Sequence, residues 1–125
     1  MKVERIDNLV LTVKDVDETC IFYSEVLGME VEMLSARKKA LKFGNQRINL
    51  RTKGREFEAT MHLTIPGTID ICFCVNDPIE QVKAELTARS IAIEGMMQRP
   101  GANGKLHSVY FRDPDQNLIE VCSYI

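Results

Sequence analysis

The second half of the chain repeats the first. At an offset of 62 residues Asn8 meets Asp70, Leu9 meets Ile71, Leu11 meets Phe73, Val13 meets Val75 and Asp15 meets Asp77. Further on, Val31 meets Ile93 and Glu32 meets Glu94. The offset then grows to 71, so that Ile48-Asn49-Leu50 meets Ile119-Glu120-Val121, and about nine extra residues fall in a loop of the second half. Matches kept in one order across both halves point to a duplicated supersecondary unit, and a repeat decides architecture before any single residue does.

Each copy reads βαβββ. In the first, Ile6–Val13 is aliphatic and β-branched and predicts a strand. Asp15 or Asp17 caps a helix on which Cys20, Ile21, Tyr23, Ser24 and Leu27 recur at helical spacing, and Gly28 stops it. Val31 and Met33 alternate with polar neighbours in a second strand, Ala40–Phe43 gives a third, Gly44-Asn45 turns the chain, and Gln46–Thr52 gives a fourth. In the second copy Thr68–Val75 is a strand. Asp77 as N-cap and Pro78 at the first helical position open a helix carrying Ile79, Val82, Leu86 and Arg89. Ile91–Glu94, His107–Phe111 and Asn117–Ser123 are the remaining strands, with Met97–Lys105 a long turn-rich loop and Lys53–Pro66 the link between the halves.

Successive strand residues point to opposite faces. Leu9, Leu11 and Val13 therefore face the helix, as do Ile48 and Leu50, Ile71 and Phe73, and Ile119 and Val121. Asn8, Asn49, Arg51, Asp70, Cys72, Cys74, Glu120 and Cys122 face away. A curved sheet whose second face lines a cup would gather Asn8, Asn49, Arg51, Asp70 and Glu120. The alternative is an ordinary sheet with a wet outer face.

Composition removes several classes. Sixteen Lys and Arg against eighteen Asp and Glu leave a net charge of −2, without the basic footprint of a nucleic-acid binder. No apolar run approaches the ~20 residues of a membrane span, and the opening Met1-Lys2-Val3-Glu4-Arg5 lacks an apolar signal core, so a cytoplasmic protein is expected. Cys20, Cys72, Cys74 and Cys122 form no C-x-x-C, which argues against a zinc ribbon or a thioredoxin-like centre and for reduced thiols packed as small apolar groups. His62 and His107 are the only histidines, and His107 is expected at a partly exposed rim.

Three segments carry a family resemblance: D-N-L-V-L-T-V at 7–13, F-Y-S-E-V-L-G-M-E at 22–30 and F-R-D-P-D-Q-N-L-I-E-V at 111–121. With them the chain resembles, over nearly its whole length, the vicinal oxygen chelate superfamily. That superfamily holds glyoxalase I, bleomycin-resistance proteins, fosfomycin-resistance enzymes and type I extradiol dioxygenases. Residues 40–50 and 66–73 resemble the subgroup of glyoxalase domain-containing protein 5 and related bacterial virulence-associated glyoxalase-like proteins. The resemblance implies an α+β fold: one glyoxalase-like domain over residues 1–125, built of modules 3–52 and 68–124. The two tandem βαβββ modules would form a curved mixed sheet with the helices on its outer face.

The family's metal ligands fall, position by position, on Asn8, Asn49, Asp70 and Glu120. The usual histidines on the first and fifth strands are replaced by Asn8 and Asp70, and only Glu120 matches the pattern. An oxygen-only set suits Mg²⁺, Mn²⁺ or Ca²⁺ better than Ni²⁺ or Zn²⁺, and it lacks the 2-His-1-carboxylate triad of a dioxygenase. Two functions follow from the resemblance. One is a small-molecule binding protein without a tightly bound transition metal, using Arg51, Asp70, Ser108 and Tyr110 together with Glu120. The other is a divalent-metal lyase or isomerase of lactoylglutathione lyase type, with Glu120 as ligand or proton-transfer base. Arg51, Arg99 and Lys105 are the basic groups on hand for a substrate carboxylate. Asp70 and Glu120 are expected to lie side by side, with either a metal or Arg51 between them as the cation. A homodimer is expected, since family members of this length commonly complete their cups across a two-fold interface.

Overall fold

The computed structural model describes residues 1–52 and 65–125. It divides into two compact units, Met1–Gly67 and Thr68–Ile125. In chain order the elements are β1 (Asn8–Val13), α1 (Val16–Leu27), β2 (Glu30–Met33), β3 (Lys39–Phe43), β4 (Gln46–Thr52), β5 (Asp70–Cys74), α2 (Ile79–Ala88), β6 (Gly95–Gly101), β7 (Gly104–Arg112) and β8 (Leu118–Tyr124). Each unit is thus one βαβββ module. Strand pairing gives each its own four-stranded sheet, in the orders β1-β4-β3-β2 and β5-β8-β7-β6.

The duplication extends to the register. In each sheet the first strand lies parallel to the last: β1 to β4 with Leu9 opposite Ile48, and β5 to β8 with Ile71 opposite Ile119. The other pairings are antiparallel. The aliphatic stripes lie where alternation placed them. Val13, Leu41, Ile48, Val109, Phe111 and Ile119 are essentially sealed from solvent, and each fully buried side chain of this size stabilises the fold by about 1.5–3 kcal/mol. In the first module Cys20 and Tyr23 of α1 are the helical share of the core; in the second it is Ile79, Val82 and Leu86 of α2.

Helix α1 begins and ends as its sequence dictates. The Asp15 carboxylate accepts from the Glu18 N–H at 3.1 Å, and Gly28 closes the helix at φ 67°, a left-handed conformation that glycine takes without strain. Helix α2 begins one residue later than expected. Pro78, not Asp77, is its N-cap and offers no side-chain acceptor to the first turn.

Two further boundaries differ from the sequence reading. Ile91–Glu94 is not a strand: the chain leaves α2 through Ser90 at φ 59°, and β6 starts at Gly95. The segment read as a loop, Met97–Lys105, is most of a β-hairpin, with Gly101 opposite Gly104 across a two-residue turn. Pro100 hid this strand, since proline within a run argues against sheet. It is tolerated because β6 is the edge strand of its sheet, where the missing donor breaks no ladder bond. Gly101 is needed on this arm, because a Cβ there would meet Leu106 Cδ1 at 2.5 Å. The extra residues of the second module therefore lengthen a hairpin. His62 and most of the linking segment Lys53–Pro66 lie outside the described residues.

The motif D-P-D-Q-N between β7 and β8 is a buried clip. Asp113 Oδ1 accepts from the N–H groups of Asp115 and Asn117, each at 2.9 Å, and Asp113 Oδ2 accepts from Asn117 Nδ2 at 2.9 Å. Asn117 Oδ1 in turn accepts from the Ile69 N–H at 2.9 Å, which fixes the entry of β5 beside β8. Gln116 takes φ 71° at the tip, the positive-φ position of this turn. The clip sets the register of β5 on β8, and that register places the site.

Candidate functional site

One face of the second module's sheet carries the polar groups. Opposite Glu120 on one side stands Cys72 and on the other Tyr110; opposite Cys122 stand Cys74 and Ser108. Arg99 reaches this face from β6.

Glu120 is nearly sealed, at 3% exposure, and it is fully engaged. Arg99 Nε donates to Oε1 at 2.5 Å and Arg99 Nη2 donates to Oε2 at 2.8 Å, a two-pronged guanidinium–carboxylate contact. The Tyr110 hydroxyl donates to Oε1 at 2.7 Å. Burial alone pushes the Glu120 pKa up. The hydrogen bonds from Arg99 and Tyr110, with help from Ser108 and Cys72, outweigh it and hold the carboxyl at about 2. Burial also raises the Tyr110 hydroxyl, and its bond to the Glu120 carboxylate raises it further. Glu120 is therefore an anion at neutral pH, and both of its oxygens are occupied by donors of this chain.

Next to this ion pair lies an open hollow of about 360 Å³, walled by Cys72, Cys74, Cys122, Arg99, Leu106 and Tyr124. All four cysteines are free. Cys20 and Cys122 are buried as expected of packed thiols, but Cys72 and Cys74 are exposed. Burial is the main cause that raises the thiol pKa of Cys72 and Cys122. The Ser108 hydroxyl is fully buried on the same face and has no hydrogen-bond partner of good geometry among the described residues, yet it stands close enough to Glu120 to help lower its pKa.

The positions carried over for a metal separate by module. Asn8 and Asn49 share a face of the first sheet, where Asn49 Nδ2 donates to Asn8 Oδ1 at 3.5 Å, Asn8 Nδ2 donates to Asp7 at 2.8 Å, and Asn49 Oδ1 is a buried acceptor with no partner among the described residues. Arg51 is half-buried on that sheet, opposite Thr12. In the second module Asp70 does not stand beside Glu120. It is exposed, it pairs in register with Leu118, and its charge acts on Arg112. The cation on Glu120 is Arg99, in place of the metal or Arg51 expected from the sequence.

This arrangement does not suit a tightly held transition metal. No imidazole stands at the four positions, and the one matching carboxylate has both oxygens taken up by Arg99 and Tyr110. Among the described residues no three His, Cys, Asp or Glu side chains are placed to hold one ion. His107, on the face toward α2, sits partly exposed with Nδ1 3.8 Å from Glu80. Cys72 and Cys74 are site residues that the sequence reading gave no role, and Arg99, read there only as a basic group for a substrate carboxylate, is the partner of Glu120. The thiols were on the right face by parity. Arg99 was obscured because its strand read as a loop, and the turn G-A-N-G was the available signal.

Two tandem βαβββ modules are what the family resemblance implies, and comparison with known proteins agrees. Residues 5–121 match the family model of the Glyoxalase/Bleomycin resistance protein/Dioxygenase superfamily, and the chain belongs to that family. It is 45% identical to virulence protein STM3117 of Salmonella typhimurium over 100% of this chain and 88% of that protein. The crystal structure of that protein superposes with a TM-score of 0.95, covering 100% of both chains. The chain is also 44% identical to glyoxalase domain-containing protein RDO1 of Mycosarcoma maydis, over 99% of this chain and 70% of that one. A lactoylglutathione lyase from Agrobacterium tumefaciens is similar at 26% identity and a TM-score of 0.76, over 98% of this chain and 95% of that one.

Proposed function

We propose that the protein binds a small polar molecule without a tightly bound transition metal, on the sheet face where Arg99 clasps Glu120. The observation that carries this reading is the two-pronged contact itself: a guanidinium supplies, at the last-strand carboxylate, the positive charge that a metal supplies in metal-dependent relatives. Arg99 keeps about 40% of its side chain exposed, so it can still meet an acceptor-rich ligand. Tyr110 stands beside it, and Ser108, Asp70 and Arg51 are the further polar groups assigned to ligand contact.

A second reading rests on the similarity to a lactoylglutathione lyase and on the ionised state of Glu120: a divalent-metal lyase or isomerase using Asn8, Asn49, Asp70 and Glu120. A metal at those positions must first displace Arg99 from Glu120. Metal analysis after purification without chelator, followed by titration with Mn²⁺, Mg²⁺, Ni²⁺ and Zn²⁺, separates the two. Far less than one equivalent of Ni²⁺ or Zn²⁺ surviving dialysis is the expected result. A near-stoichiometric content would overturn the first reading in favour of the second.

We also propose a cytoplasmic homodimer, the commonest closed assembly for a chain of this kind. Sedimentation equilibrium at tens of micromolar, roughly where a specific interface holds, should report twice the chain mass. A single-chain mass there contradicts it.

A further inference from the structure

Strands β5 and β8 run side by side in parallel, with Cys74 opposite Cys122 and Cys72 opposite Glu120. Cys72 and Cys122 are therefore diagonal neighbours on one face. Their sulfurs nevertheless converge, Cys72 Sγ lying 3.4 Å from Cys122 Sγ. Parallel strands lie about 4.8 Å apart and two residues rise about 6.6 Å, which anchors diagonal neighbours about 8 Å apart, beyond the backbone separation that a disulfide spans without movement, about 7 Å. The pair is thus placed to share something between its sulfurs more readily than to bond to itself. It opens on the hollow of about 360 Å³ beside Arg99, so an ion has a route in.

We propose that Cys72 and Cys122 form a two-thiolate site for a soft monovalent cation, Cu(I). Thiolate sulfur selects soft ions over Mg²⁺, Mn²⁺ or Ca²⁺. Structural zinc requires four ligands, whereas among the described residues no three candidate groups converge. Cu(I) is satisfied by two thiolates. Loading is an exchange without electron transfer: two S–H protons leave to water, two S–Cu bonds form, and the bound unit carries one net negative charge. The guanidinium of Arg99, beside Cys72 in the wall of the hollow, faces that charge. Cys72, lining the open side, has room to move outward as the ion enters. This site stands on the sulfurs and is independent of the small-molecule reading above.

The test is anaerobic titration of the full chain with Cu(I), in competition with a Cu(I)-specific chromogenic chelator and with ascorbate as reductant. One equivalent that resists the chelator is expected. Cys72→Ser should lower its affinity by more than ~100-fold, beyond the 10–100-fold typical of outer-shell changes, while Cys74→Ser stays within a few-fold of the parent. Absence of competition with the chelator, indifference to Cys72→Ser, or equal loss in Cys74→Ser would each overturn the site. Because Cys122→Ser would put a hydroxyl at a buried position, the second ligand is read with Cys122→Ala, which keeps that position apolar and should lose the bound equivalent as Cys72→Ser does. Bound Cu(I) should protect Cys72 from iodoacetamide, as followed by peptide mass, while Cys74 still reacts. Unchanged alkylation of Cys72 contradicts the proposal.

Discussion

Replacing Arg99 by alanine is expected to invert the acid response of the protein. In the parent, Glu120 is held at about 2 against an ordinary value of 4.5. A depressed carboxyl contributes stability that is present above its unfolded pKa and lost as the pH falls through the folded one, here between about 4.5 and about 2. That contribution is on the order of 3 kcal/mol. Without Arg99 the burial of Glu120, the largest influence on it, is opposed only by the hydrogen bonds from Tyr110, Ser108 and Cys72, so its folded pKa is expected to rise past the ordinary value. The sign then reverses: the variant is favoured at low pH and loses stability as the pH rises through the new folded value. At neutral pH the buried carboxylate is uncompensated, and a fall in melting temperature on the order of 10 °C is expected. Added Mn²⁺ should recover part of that loss in the variant and leave the parent unmoved. Thermal melts from pH 3 to pH 8, with Mn²⁺ or with chelator, read all of this. A variant with the parent's acid limb intact would show that Arg99 is not what holds Glu120.

Asn117→Ala is expected to be the most destabilising single change in the second module's turns. It removes the bonds to Asp113 Oδ2 and from the Ile69 N–H, both at 2.9 Å, around a side chain with no exposed surface. Two polar groups then lose a partner that water cannot readily replace, at about 1–3 kcal/mol each. Urea denaturation should show a loss of about 3 kcal/mol or more with an unchanged slope. A loss below about 1 kcal/mol would mean that the backbone bonds around Asp113 suffice to seat β5 on β8.

The duplication and the face alternation made most of the fold legible. Leu11, Val13, Ile48, Phe73 and Ile119 are buried on the expected side, and Asp15 and Gly28 bound α1 as read. The errors cluster where two signals compete. Pro100 within M-Q-R-P-G outweighed the pairing potential of β6, because a sequence does not say which strand lies at an edge. That misreading carried Arg99 with it, since face parity cannot be applied to a loop. Asp70 and Glu120 were placed on one face correctly, but the stagger of β5 on β8 is set by the Asp113–Asn117 clip, and it brings Cys72 to Glu120 instead. The oxygen-only donor set at Asn8, Asn49, Asp70 and Glu120 was readable directly from residue types. The cation that answers Glu120 was not, because its identity depends on a hairpin's third dimension.

On the proposed reading, a guanidinium does at Glu120 what a metal does in metal-dependent relatives. The most direct test of that reading is a pH titration of the Glu120 side-chain carboxyl by carbon NMR, on metal-free protein and again with excess Ni²⁺. A midpoint at about 2 is expected in both. A midpoint at or above the ordinary carboxyl value without metal, or one that moves sharply when Ni²⁺ is added, contradicts it.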